Sequence, residues 1–182
     1  DIASIALSPN NTVIAAGVGE QYSATAYDIW GNVNSTALTF GSNGTIDSVT
    51  GLFNSTSNGT YLVNVTGGVI VNESVILVQS AYVESIAFTP QNAVITAGFG
   101  QQFAATAYDG WGNVNTSTID NADPLAISVS SDGIIGSTGF FNSTINGTYS
   151  VNATLGGVVN TTSILVLPDV VTSIGLTPQD AN

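Results

Sequence analysis

The 182-residue chain contains no lysine, arginine or histidine. These are the groups that neutralise phosphates, so electrostatic capture of nucleic acid or of an anionic membrane is excluded. Without histidine, no side chain titrates near neutrality and a metal finds no imidazole ligand. Cysteine is also absent, which excludes disulfides and thiolate metal sites. Methionine is absent as well, so Asp1 is expected to follow processing or excision rather than to start translation. No apolar run approaches the roughly 18 residues a membrane-spanning helix needs, and no secretory leader is evident. Charge of either sign is scarce. The 12 acidic residues are the only ionised side chains and amount to 7% of the chain, against about 25% charged residues in ordinary soluble domains. That is too few for a salt-adapted acidic protein, and a surface so poor in charge needs another source of hydration.

The same absences bear on chemistry. With no His, Cys or Lys there is no ordinary nucleophile–base pair, so catalysis is not expected. Carboxylate pairs hydrolyse glycosides in other proteins. Here only Asp28 and Asp109 recur at matched positions, and they read as turn-capping residues ahead of Trp-Gly-Asn. No D-x-D-x-D-G calcium loop occurs; weak calcium binding at unit junctions through Glu84 or Asp169 is the remaining metal expectation. Trypsin-like proteases find no cleavage site. Protonating every carboxylate leaves the chain nearly neutral, so acid is expected to cause little self-repulsion, which suits a harsh extracellular setting.

Hydrophobic residues make up 43%, enough for packed cores. The chain repeats. "SIALSPNNTVIAAGVGEQYSATAYDIWGNVN" begins at Ser4 and "SIAFTPQNAVITAGFGQQFAATAYDGWGNVN" at Ser85. From Gly51 onward the match continues at a wider offset, as "GLFNSTSNGTYLVNVTGG" against "GFFNSTINGTYSVNATLGG", which places an insertion near "DNADPLA" in the second copy. A third opening, "SIGLTPQDAN", starts at Ser173. The expected organisation is unit 1 over 1–80, unit 2 over 81–168, and the first strand of a third unit over 169–182. That last segment, through Val171, Ser173, Ile174 and Leu176, either opens a longer array or completes a neighbouring molecule by strand addition.

Within each unit the periodicity is two. Tyr22, Ala24 and Ala26 share a face, as do Phe103, Ala105 and Ala107, and Tyr61, Val63 and Val65 alternate with Leu62, Asn64 and Thr66. Val, Ile, Thr and Tyr dominate and strong helix formers are few. Pro9, Pro90 and Pro178 follow the first strand of each copy, where a missing N–H is tolerated. Units of this length with closely spaced turns predict an all-β architecture of tandem, seven-stranded, immunoglobulin-like β-sandwiches.

The segment "SIALSPNNTVIAAGVGEQYSATAYDIWGN" followed by "GLFNSTSNGTYLVNV" resembles the bacterial immunoglobulin-like domains of group 2. Those modules open with a Ser-Ile-x-x-x-Pro strand, pass through Gly and a Gln-aromatic-x-Ala strand, and end on a Gly-Thr-Tyr/Ala-x-Val strand. The resemblance covers both full copies and the third opening. It implies tandem modules displayed at a cell surface, in adhesins, surface layers and secreted proteins. More loosely the chain resembles archaeal glycosylated surface threads and pili, some of which join subunits by donor strands. Tyr61 and Tyr149 are then candidates for the corner hydrogen bond of such sandwiches, or plain core aromatics.

The asparagines carry the second pattern. Asn10, Asn34, Asn43, Asn54, Asn58, Asn64, Asn72, Asn115, Asn142, Asn146, Asn152 and Asn160 each begin an Asn-x-Ser/Thr triplet, 12 of 18 asparagines where composition alone gives about four. Five recur in register: Asn34 with Asn115, Asn54 with Asn142, Asn58 with Asn146, Asn64 with Asn152, and Asn72 with Asn160. Duplication of a polar turn composition is one account. The other is covalent N-glycans as the missing hydration, a nearly complete sugar coat, with no cofactor besides. Trp30 and Trp111, each followed by Gly, read as lids over a sandwich end or junction, or as carbohydrate-stacking platforms. Two functions fit: a heavily N-glycosylated extracellular filament or stalk built of copies of itself, or an adhesin or surface-layer arm whose ligand site lies elsewhere.

Overall fold

The computed structural model describes residues 1–115, 126–129, 134–136, 138–170 and 172–174. The described residues contain strands and no helix. The first copy forms β1 (Ser4–Ser8), β2 (Thr12–Ala15), β3 (Glu20–Gln21), β4 (Ser23–Tyr27), β5 (Val33–Asn34), β6 (Thr39–Ser42), β7 (Thr45–Ile46), β8 (Leu52–Asn54), β9 (Gly59–Gly67) and β10 (Ile70–Gln79). The second forms β11 (Val83–Thr89), β12 (Ala93–Thr96), β13 (Gly100–Gln102), β14 (Ala104–Asp109), β15 (Ala126–Val129), β16 (Ile134–Ile135), β17 (Phe140–Asn142), β18 (Gly147–Leu155) and β19 (Val158–Leu167). The sheets are β1-β4-β5, β2-β10-β9-β6 and β3-β8-β7, then β11-β14, β12-β19-β18-β15 and β13-β17-β16.

The chain divides into two units, Asp1–Ser85 with Ala107–Ala122, and Ile86–Thr106 with Asp123–Asn182. The first includes the turn after β14, which the sequence repeat alone assigns to the second copy.

The expected alternation holds. Along β9 the side chains of Val63 and Val65 are buried and their neighbours are not. Tyr22, Phe53, Ile76 and Val78 complete that core. The second unit buries Phe103, Phe141, Val151, Ile164 and Val166, with Phe88 packed edge-on to Phe103 at 6.3 Å between ring centroids.

The seven-strand expectation needs correction: the first copy is divided into ten strands, eight of them of five residues or fewer. The cause is repeated switching between sheets. β1 pairs antiparallel with β4, yet β2 pairs parallel with β10. Only Tyr22 separates β3, which pairs with β8, from β4. Asn43 and Gly44 separate β6 from β7 in the same way. Tyr22 holds its switch by donating its N–H to Gly51 O at 3.0 Å, and Phe103 repeats this to Gly139 O at 2.9 Å. Gly51 is required there: its φ is 75°, and an added Cβ would lie 2.7 Å from Tyr22 O.

At the first switch the backbone leaves both ladders, and its polar groups need partners. Ser74, buried on β10, accepts the Asn11 N–H at 3.1 Å and donates to Pro9 O at 3.2 Å. Asn72 donates its side-chain amide to Ile5 O at 2.7 Å. The second copy repeats the device: buried Thr162 accepts the Asn92 N–H at 3.0 Å, and the Asn160 amide donates to Ile86 O. Asn11 and Asn92 both take the left-handed conformation, with φ of 55° and 51°. The peptide bonds before Pro9 and Pro90 are cis.

The insertion near "DNADPLA" lies outside the described residues apart from Ala126, and so do Val171, Leu176 and Pro178. Ser173 and Ile174 are described; both are exposed and lie outside any strand.

Replacing Thr162 with Val keeps its shape but leaves the Asn92 N–H without its acceptor. This should cost about 1–3 kcal/mol in urea denaturation. Thr56→Val, at an exposed sequon position, should change stability by less than about 0.5 kcal/mol.

Candidate functional site

The most elaborate polar constellation is the Asp-x-Trp-Gly-Asn turn, present twice. After β4, Asp28 Oδ1 accepts the N–H groups of Trp30 and Asn32, each at 2.9 Å, and Oδ2 accepts the Asn32 amide at 3.0 Å. After β14, Asp109 Oδ1 accepts the N–H groups of Trp111 at 3.0 Å and Asn113 at 2.9 Å, and Oδ2 accepts the Asn113 amide at 2.8 Å. The glycines turn the chain at φ of 83° for Gly31 and 82° for Gly112. Both aspartates therefore act as the turn caps expected from sequence.

Their surroundings differ. Asp109 is buried, at 3% exposure, and its Oδ2 also accepts the Ala81 N–H at 2.9 Å. Asn113 reaches on to the 53–61 turn: its amide donates to Thr56 O at 2.8 Å, and its oxygen accepts the Asn58 N–H at 3.2 Å. Asn115 donates to Ala81 O at 2.8 Å. The Trp111 ring lies over Gly17, where an added Cβ would collide with it. Trp111 is therefore a lid, at 52% exposure, whereas Trp30 stands open at 79%.

The electrostatics follow the hydrogen bonds. The Asn32 side chain, then its N–H, holds the Asp28 carboxyl below its ordinary value. The Thr50 and Val49 N–H groups do the same for Asp47. Burial pushes Asp109 upward, but hydrogen bonds from the Asn113 side chain and the Ala81 N–H outweigh it, leaving a net downward shift. No group of three or more metal-ligating side chains occurs among the described residues. Glu84 is exposed and lies beside Gly110, and Asp169 is exposed and accepts its neighbour Val170 N–H.

The sequons fall into classes. None of the twelve asparagines is buried. Asn10, Asn43, Asn54, Asn58, Asn142 and Asn146 are exposed, and the other six are half-buried. Asn64 and Asn152 lie opposite the core face as expected, but Asn64 rests over Gly41 and Asn152 accepts the Thr161 hydroxyl at 2.8 Å. Asn34 accepts the Thr36 N–H at 2.9 Å.

The repeated "FNSTxNGTY" stretch has a structural use. Tyr61 OH donates to Ser57 O at 2.9 Å and meets Ser55 Oγ at 3.0 Å. Tyr149 OH donates to Ile145 O at 2.9 Å and meets Ser143 Oγ at 3.0 Å. These are the corner hydrogen bonds, and they stitch the middle residues of the sequons into the fold. Sequence reasoning missed that Asn72 with Ser74, and Asn160 with Thr162, are the clips of the sheet switch. The available signal was their recurrence at the start of the last strand, where a glycan is not the only use for an amide.

Ice-binding protein 1 of Shewanella frigidimarina (strain NCIMB 400) is 30% identical over 186 residues, covering 97% of this chain and 20% of that protein. The chain thus spans about a fifth of that relative's length. Among solved structures, Yersinia pseudotuberculosis InvD is similar with a TM-score of 0.55 and 18% identity, over 96% of this chain and 60% of that one. The Escherichia coli adhesin FdeC is similar with a TM-score of 0.50 and 16% identity, over 90% and 63%. No family model matches the chain. At these identities the likeness establishes the fold: all-β and immunoglobulin-like.

Each depressed aspartate pKa lies below its unfolded value. Its contribution to stability is full above about pH 4 and is lost as pH falls through the lower folded value. The melting temperature should be flat from pH 5 to 8, with no histidine to titrate, and should fall below about pH 4. Asp109→Asn should be less stable than wild type at pH 7 and show a shallower acid decline, measured by thermal denaturation followed by circular dichroism.

Proposed function

We propose that this chain is a non-catalytic structural segment of an extracellular, surface-displayed protein: a filament or stalk of repeated immunoglobulin-like beads hydrated by N-glycans. The observation that carries this reading is the exposure of six sequon asparagines, Asn10, Asn43, Asn54, Asn58, Asn142 and Asn146. These six candidate glycan acceptors lie on a surface with no cationic side chain, and none of the other six sequon asparagines is fully buried. The repetition of one bead plan, hydrogen bond by hydrogen bond, suits a spacer better than a recognition surface, which needs a feature that occurs once.

A second reading, an arm of an adhesin or surface-layer protein, draws support from the adhesin FdeC, which shares the fold. The relative whose name declares ice binding is five times longer than the matched segment, and this chain serves in such a protein as a spacer. Negative-stain microscopy separates the two readings: continuous fibres support the filament, and short projecting arms support the second.

Glycans are assigned to the six exposed asparagines first. Glycopeptide mass spectrometry should find Asn54, Asn58, Asn142 and Asn146 occupied, and Asn72 and Asn160 bare because their amides hold the fold. Bare exposed sequons would overturn the sugar-coat proposal.

A further inference from the structure

One departure from the repeat builds a groove. Aligned on the shared Ser-Ile, the preceding positions hold Asp1 and Ala3 in the first opening, Tyr82 and Glu84 in the second, and Val170 and Thr172 in the third. The turn changes with them: Ile29 of the first Asp-x-Trp-Gly-Asn turn becomes Gly110 in the second. An aromatic ring and a carboxylate thus enter at the opening whose turn has lost its bulky residue.

The structure gathers these residues around one open groove of about 550 Å³, lined by Gly17, Val18, Ala81, Tyr82, Glu84 and Trp111, all within the first unit. That volume is in the range of small-ligand sites. Its walls are accessible, with Tyr82 70%, Trp111 52% and Val18 51% exposed. Glu84 is exposed too, and its carboxylate lies against Gly110, where an added Cβ would collide with Oε2. The Trp111 ring is set in advance: its N–H donates to Asp109 at 3.0 Å, and the Asn113 amide ties the same turn to Thr56 O at 2.8 Å. A preset ring loses little freedom on binding.

Aromatic faces beside a carboxylate attract a cation, and a chain of net charge −12 repels an anion. A neutral sugar would stack on the rings and make no use of the charge. A guanidinium uses both features, because it is planar, stacks on an aromatic face and presents paired N–H donors to a carboxylate. These 182 residues contain no lysine, arginine or histidine, so the cation comes from outside them, and a second copy cannot supply it. We infer that the groove binds an arginine side chain of a partner protein. The guanidinium lies on the Trp111 ring and donates to Glu84, while its alkyl stem runs along Val18 and Tyr82. The inference goes beyond the spacer reading: it gives a repeated bead one point of attachment.

Trp111 fluorescence tests it. In a Trp30→Phe background, Trp111 is the only tryptophan. This protein is titrated with Gly-Arg-Gly blocked at both ends, with the same peptide carrying citrulline, which keeps the shape and loses the charge, and with maltotriose as a neutral saccharide. The arginine peptide should saturate with a Kd on the order of millimolar, and rising salt should weaken it. The citrulline peptide should bind roughly tenfold more weakly. Glu84→Gln, an exposed and nearly isosteric change, should abolish the difference between the two peptides. Gly110→Ala, which displaces the carboxylate and leaves the ring, should weaken arginine binding as well. Circular dichroism melts verify that each variant is folded. Equal affinity for the two peptides, a preference for arginine that survives Glu84→Gln, a response to maltotriose alone, or no response to any probe overturns the assignment. None of these outcomes bears on glycan occupancy or on fibre formation, which the mass spectrometry and microscopy above decide separately.

Discussion

The sheet switches and the Asp109 turn meet their polar obligations without a cationic side chain. No lysine or arginine is present to pair a carboxylate or cap a carbonyl. The backbone is therefore anchored by hydroxyls, amides and a few carboxylates. This matters most where the chain changes sheets, because a crossing strand leaves N–H and C=O groups outside any ladder and an unmet buried group is costly. Ser74 and Thr162 meet that demand with one hydroxyl each. Asp109 does so with one carboxylate, whose two oxygens accept four hydrogen bonds. Such sites are neutral or singly ionised and draw little from long-range Coulomb attraction.

Much of the fold was legible in the residues. The period of two along Tyr61, Val63 and Val65, the repeat, and the turn chemistry of Asp28 and Asp109 are all local properties, and all appear where expected. The fragmentation of strands was not legible. A sheet switch at a single residue such as Tyr22 keeps the alternation of side chains while changing the partner strand, and alternation is all that a sequence displays. The difference between the two tryptophans was hidden for a related reason. The turns are nearly identical in sequence, and what separates Trp30 from Trp111 is whether a distant glycine lies beneath the ring.

The sequons show how one triplet serves two ends. At Asn72 and Asn160 the amide and the hydroxyl two residues on are both consumed by the fold. At Asn54 and Asn142 the asparagine points outward while the following serine braces a tyrosine. A composition rich in Asn, Ser and Thr is thus selected by the neutral anchoring described above, and the outward triplets are where it is free for modification. Counting triplets cannot separate these roles, whereas strand position can.

The parallel pairing of β2 with β10, from Thr12↔Ile76 to Ala15↔Gln79, and of β12 with β19, joins the first and last long-sheet strands of each repeat side by side. Tension applied to the two ends of such a repeat pulls these strands in opposite directions along their common axis. The rungs between them are then sheared together rather than peeled one at a time, so extension must break several bonds at once before the core is exposed. A protein held taut at a surface gains from that geometry a resistance to stretching that its equilibrium stability alone does not describe.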